Sequence, residues 1–352
     1  MTTRLGRSAL RAFLSAALLV SLPACDDDPV GPEISPREVG VVVTSTDIAL
    51  TVFDVDDPTI SETVGLGADG SPVSLAVRGR FAAVPMGIVP AVAIVDLRDA
   101  ALLRTVGLPD GSGATGAAFV NDSIVLVANP GLNSVTPVNV FTGTAGAEVE
   151  VGRYPQAVVV EEGRAYVLNA ELENFAAAGP STITVLDASS LAVLDTIELS
   201  GENAAQAAFG PDGRLYVIHS GSWGASNGAL SVVDPVTATE VDFVEGFGNF
   251  PGSIAVGGDG LVYVGAFGIG MLVWDTSAGS FTRGLNDAVI PGGVASTSGV
   301  SMDSEGRIYA LTPDCQSPSV AHRLDASHDS ELAIPVGICP IAVAFTEVDG
   351  GM

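Results

Sequence analysis

No lysine occurs anywhere in the chain's 352 residues, and its 14 basic residues are all arginine. Against them stand 41 Asp and Glu, giving a formal net charge of -27. A surface of that sign repels phosphate backbones and anionic headgroups, which excludes nucleic acid as a partner. Charged residues are nonetheless scarce at 16%, while 47% are hydrophobic, the reverse of the balance that keeps a chain disordered. The three histidines, His219, His322 and His328, lack zinc-ligand spacing. Catalytic signatures are lacking too. "GLGADG" (65–70) fits a dinucleotide fingerprint, but a strand follows it instead of a helix. "GASNG" (224–228) fits a nucleophile elbow, yet it lies in a loop without the strand-to-helix turn. The acidic run Asp54, Asp56, Asp57 has no EF-hand Gly or Glu at the needed offset, so no metal and no cofactor is expected. No segment carries a helical period.

What the sequence does have begins at its N-terminus. "MTTRLGRSALR" supplies Arg4, Arg7 and Arg11 ahead of "AFLSAALLVSL" (12–22), an apolar run of 11 residues. That is too short for a bilayer core of about 30 Å and suits a secretory h-region. "LPAC" (22–25) and "DDDPVGPEISPRE" (26–38) follow. The whole stretch resembles a bacterial lipoprotein signal, with small Ala24 before Cys25. The resemblance implies a signal peptide at 1–24 and diacylation of Cys25 as the first mature residue. It further implies a Pro-containing tether at 25–38 and attachment to a bacterial membrane on its periplasmic or outer surface. Loss of three arginines would leave the mature chain at about -30.

Beyond residue 38 one phrase recurs: "EEGRAYVLNA" (161–170), "GPDGRLYVIHS" (210–220), "GGDGLVYVGA" (257–266) and "DSEGRIYALT" (303–312). The turn glycines Gly163, Gly213, Gly260, Gly306 and Gly350 are spaced 50, 47, 46 and 44 residues apart. A period in the mid-forties is that of a four-stranded propeller blade. Alternating β-branched residues with turn formers between them place four strands in each unit. Six units run over 71–112, 113–153, 154–202, 203–249, 250–293 and 294–337. The seventh is split: 338–350 matches only a first strand, and 39–67 only the three that follow. The expected fold is therefore all-β, a seven-bladed β-propeller over 39–352. Its last strand closes the ring against the N-terminal three and leaves no raw seam. In each blade the repeated phrase forms the hairpin between first and second strands, its Gly taking a positive φ and its Tyr packing between blades.

The stretch "VGRYPQAVVVEEGRAYVLNA…STITVLDASSLAVLDTIELSG" resembles the YVTN-type repeat of bacterial and archaeal surface β-propellers. The resemblance covers roughly 39–350 and is strongest in the units beginning at 154, 203 and 250; the units at 71 and 113 lack the Tyr. It speaks to architecture more than to activity.

Arg164, Arg214 and Arg307 share one blade position on the face of the repeated hairpins, where they read as solvated turn charges. The opposite face carries the loops of variable length, where binding specificity on a rigid ring resides. Asn129, Asn169, His219 and Asp314 end comparable strands there, with Trp223 and Phe267 nearby, and are the candidate ligand-binding residues of a shallow pocket at the channel mouth. With Cys25 acylated, Cys315 and Cys339 remain as an even pair in an oxidising compartment, on the same face of adjacent blades, and are expected to form a disulfide. The function expected is that of a monomeric, lipid-anchored, non-enzymatic module binding an envelope protein, a glycan or a small molecule. The alternative resembles the lactonase-type propeller enzymes, which hold a divalent metal in the channel; Asn129, Asn169 and Asp314 are partial matches to such a ligand set, with no matching Glu.

Overall fold

The structure, a computed structural model, describes residues 36–350. Cys25 and the segment 1–35 lie outside the described residues. Seven four-stranded antiparallel blades make up the described chain. The first is Ala76–Arg78, Phe81–Pro85, Ala91–Asp96 and Ala101–Gly107. The second is Ala117–Phe119, Ile124–Asn129 and Ser134–Asn139, with a broken outer strand, Thr144–Ala145 and Val149–Glu150. Blade three is Pro155–Glu161, Arg164–Asn169, Thr182–Asp187 and Val193–Glu198. Blade four is Ala204–Phe209, Leu215–His219, Gly228–Asp234 and Thr239–Gly248. Blade five follows as Pro251–Val256, Leu261–Ala266, Gly270–Asp275 and Ser280–Arg283, and blade six as Gly299–Met302, Ile308–Thr312, Pro318–Leu324 and Ser330–Ile338.

The seventh blade is the split one. Pro340–Asp349 pairs with Pro36–Thr44, which continues into Ala49–Asp54 and Ser61–Gly65. The N-terminal strand starts at Pro36, three residues before the boundary expected from sequence, because Pro36, Arg37 and Glu38 face Asp349, Val348 and Glu347 across the closing ladder. The first strands of successive blades touch one another in a closed circuit around a central channel. One short 3-10 turn, Pro291–Gly293, is the sole helical element among the described residues.

Seven apolar clusters hold the ring, each built from two neighbouring blades. A blade between two others buries both of its faces. Its middle strands therefore read as continuous apolar runs, such as "FAAVP" and "AVAIVD", without alternation. The repeated tyrosines Tyr166, Tyr216, Tyr263 and Tyr309 lie buried in these clusters, as expected. Burial raises the Tyr216, Tyr263 and Tyr309 phenols to about 12, so they stay neutral.

A second repeated device ends the third strand. Asp54, Asp96, Asn139, Asp187, Asp234, Asp275 and Asp325, one per blade, each accept backbone N–H bonds from residues two to four positions on. Such Asx turns stop the strand and start the outer one. Outer strands then carry a bulge at Leu103, Leu194, Val241, Thr282 and Glu331. Bulging twists each edge away from pairing with another chain.

Candidate functional site

First strands begin at what is termed the upper face, where the loops between second and third strands also lie. At this face the inner strands depart from regular geometry in a repeated way. Tyr154, Asn203, Phe250 and Cys339 immediately precede first strands and all have left-handed backbones, with φ of 56°, 57°, 56° and 59°. Such a conformation costs a non-glycine residue about 1–3 kcal/mol and persists only where the surroundings enforce it. Here they do. The Tyr154 N–H donates to Asn133 Oδ1 at 3.0 Å, Asn203 Nδ2 donates to the Gly221 carbonyl at 3.0 Å, and the Cys339 N–H donates to the Asp314 carbonyl at 2.8 Å. Phe250 packs edge-on against Trp223 with centroids 5.2 Å apart. Two residues further on, a bulge falls at Gln156, Ala205, Gly252 and Ile341, all of them lining the channel.

Inside the ring is a cavity of about 560 Å³. Its wall is mostly small and apolar, including Ala117, Ala118, Ala157, Ala205, Ala207 and Val159, and its upper end is polar. There Gln156 Nε2 donates to Asn203 Oδ1 at 2.7 Å, the Ile254 N–H donates to Gln206 Oε1 at 3.1 Å, and the Ser220 hydroxyl donates to the Pro251 carbonyl at 2.7 Å. No Asp or Glu lines this cavity. Its one charged residue, Arg78, sits at the lower end in an ion pair with Asp122 at 2.6 Å. Four of the upper loops project exposed apolar side chains, Ile88, Phe175, Trp223 and Phe267. Phe175 packs edge-on to Tyr154 at 6.1 Å, repeating the Trp223–Phe250 pair.

The residues expected at the pocket fall into two groups. Trp223 and Phe267 are exposed on the upper face. Asn129, Asn169 and His219 are fully buried inside their blades instead of lining the mouth. Asn129 Nδ2 donates to Ser134 Oγ and Thr136 Oγ1, Asn169 Nδ2 to Thr182 Oγ1 and Thr184 Oγ1, and His219 Nε2 pairs with Ser231 Oγ at 2.7 Å. The cover is glycine: a Cβ on Gly152 would lie 2.5 Å from Asn169 Nδ2, and one on Gly201 2.5 Å from His219 Cγ. Burial pulls the His219 imidazole down to about 4, outweighing the attraction of Glu240.

Asp314 is exposed and accepts N–H bonds from Gln316 and Ser317 and the Ser317 hydroxyl bond, which hold its carboxyl below the usual range. It shapes the loop that carries the Cys315–Cys339 disulfide, which is formed as expected. The Asn129, Asn169 and Asp314 side chains are thus each engaged within their own blades. Among the described residues, no three His, Cys, Asp or Glu side chains converge as a metal site would require. The residues that sequence reading missed are Tyr154, Gln156, Asn203, Gln206 and Phe250. The signal for them was present, since Tyr154 and Phe250 each precede the proline that opens a first strand.

The lower face holds a groove of about 600 Å³ between blades three and four, lined by Glu161, Glu162, Arg164, Asp212 and Arg214 among others. Its arginines are engaged locally: Arg164 donates to the Pro235 carbonyl at 3.1 Å, and Arg214 lies 3.9 Å from Asp212. Arg307, at the same position in blade six, pairs with Asp303 at 2.5 Å.

No family model and no curated relative matches the chain. Among solved structures it is similar to hydrazine synthase of Kuenenia stuttgartiensis, with a TM-score of 0.63 and 16% identity over 77% of this chain and 88% of that one. At that identity the likeness shows the propeller fold alone.

Proposed function

We propose that this chain is a lipid-anchored, non-enzymatic binding module of a bacterial cell envelope, a propeller of the YVTN-repeat type tethered through Cys25, which takes its ligand at the upper face. The observation that carries this reading is the central cavity of about 560 Å³, open beneath a rim of exposed aromatic side chains and free of carboxylates. Its size falls within the range of small-ligand pockets. The arginine-led apolar run ending in "LPAC" supports the anchor.

Two measurements test the two halves. Cys25→Ser is expected to abolish fatty-acid labelling and remove the protein from the membrane fraction; labelling that persists overturns the anchor. A thermal-shift screen of the detergent-solubilised mature chain is expected to return ligands whose effect Trp223→Ala weakens. Because Trp223 is exposed but packs edge-on against Phe250, that substitution alone should cost about 0.5–1.5 kcal/mol. Lost stability with unchanged ligand response places the binding surface elsewhere.

A further inference from the structure

We propose that the occupant of the upper channel is a neutral saccharide, held by the amides of Gln156, Asn203 and Gln206 and stacked on Phe250. This rests on the reading of the upper face as a binding site and assigns its ligand class. Three observations converge on that chemistry.

The first is charge. A chain with 41 Asp and Glu has none along this cavity, and the one arginine is at the far end, already paired with Asp122. A bound metal or ammonium would find no carboxylate there, and a phosphate or uronate would meet no free cation while facing an acidic exterior. The ligand that fits is uncharged.

The second is hydrogen-bonding capacity. Gln206 uses Oε1 to accept the Ile254 N–H, and its Nε2 has no protein partner among the described residues. Gln156 uses Nε2 toward Asn203 Oδ1, and its Oε1 has none. The cavity's upper end therefore offers a fixed donor from one amide and a fixed acceptor from another, which suits hydroxyls that both donate and accept. The bulge at Gln156 aims that side chain away from the ladder, and the Asn203 contact to Gly221 fixes the amide between them.

The third is the aromatic ledge. Phe250 lines the cavity and is braced by Trp223 at 5.2 Å, leaving an apolar surface beside the amides. Alternation of an apolar C–H face with hydroxyl edges is the property of a pyranose ring that such a site complements.

The test is isothermal titration of the detergent-solubilised mature chain with maltotriose, cellotriose and N-acetylchitotriose. Trigalacturonate and adenosine serve as the charged and the non-saccharide comparison. Supporting results are binding of at least one neutral trisaccharide, weakened about tenfold by Gln206→Leu, as loss of one hydrogen bond predicts. Ala205→Leu, which adds bulk to the channel wall beside these amides, should abolish that binding, with the melting temperature measured alongside to show that the variant is folded. Binding of adenosine or trigalacturonate that Ala205→Leu removes, with no trisaccharide bound, overturns the saccharide class and leaves the channel as a site. Failure of all five probes also overturns the saccharide class. Failure of the wider ligand screen together with these five overturns the upper-face reading as well.

Discussion

His219 shows how one residue's placement changes what it does. As the last residue of a strand it reads as a rim group, but its neighbour Gly201 closes over it and leaves no room for a methyl group. The ring is consequently neutral in the fold, with its imidazole held at about 4 against an unfolded value near 6.5. The unfolded chain thus binds the proton more readily, so the stability His219 contributes is complete above about pH 6.5 and is lost as pH falls toward about 4. The full loss is on the order of 3 kcal/mol. Burial lowers His322 and His328 in the same direction. His219→Asn places there the residue that the second and third blades use at the equivalent position, Asn129 and Asn169. Denaturant midpoints measured at pH 7 and pH 5 should differ less for this variant than for the parent. Equal differences would mean that His219 is solvated. The strand-end equivalence of Asn129, Asn169 and His219 is legible in the sequence, whereas their burial is not, because it depends on a glycine in the preceding inter-blade loop.

At the level of the strand, most of the architecture is legible because each blade repeats the same punctuation. The Gly of the first hairpin and the Asp or Asn of the third turn recur at a steady spacing, and the split of the last blade follows from two fragments that complete each other. The small hairpin of Leu172–Glu173 with Ala176–Ala177, inside the upper loop of blade three, is not legible, since its residues carry no alternation. Nor are the inner-strand bulges, which arise where seven strands converge on one channel. Closure itself depends on Pro340–Asp349, which supplies one wall of the channel and the whole inner edge of blade seven. The Cys315–Cys339 disulfide fastens the start of this strand to blade six across a sequence separation of 24. Removing that loop constraint by Cys315→Ser with Cys339→Ser should cost roughly 3 kcal/mol on the chain-entropy account. Deleting 338–352 should cost more, because it also exposes the Pro36–Thr44 edge and opens the two apolar clusters that Val348 and Val343 help to fill. Urea midpoints of the two variants compared with the parent check this order. A deletion that unfolds no more easily than the disulfide variant would show that the strand does not close the ring.

Over the whole molecule the acidity and the fold pull against each other. A net charge of -27, most of it carried by one compact ring, stores electrostatic self-repulsion that a random coil would relieve. Eight of the eleven described arginines are already in ion pairs, most of them at exposed sites worth little each. Added salt weakens those few attractions and the more numerous repulsions together, and with 41 acidic residues against 14 arginines the repulsions dominate. The thermal midpoint of the chain should therefore rise by several degrees as NaCl increases from about 10 mM to about 1 M, while the Debye length falls from about 30 Å to about 3 Å. Most of the rise should come early, since charges on neighbouring turns are already screened from one another at about 0.1 M. Tetramethylammonium chloride should reproduce the rise if screening is its cause. A midpoint that climbs with sodium alone would point to specific cation binding, and one that falls with either salt would mean that the ion pairs outweigh the repulsion they are set in.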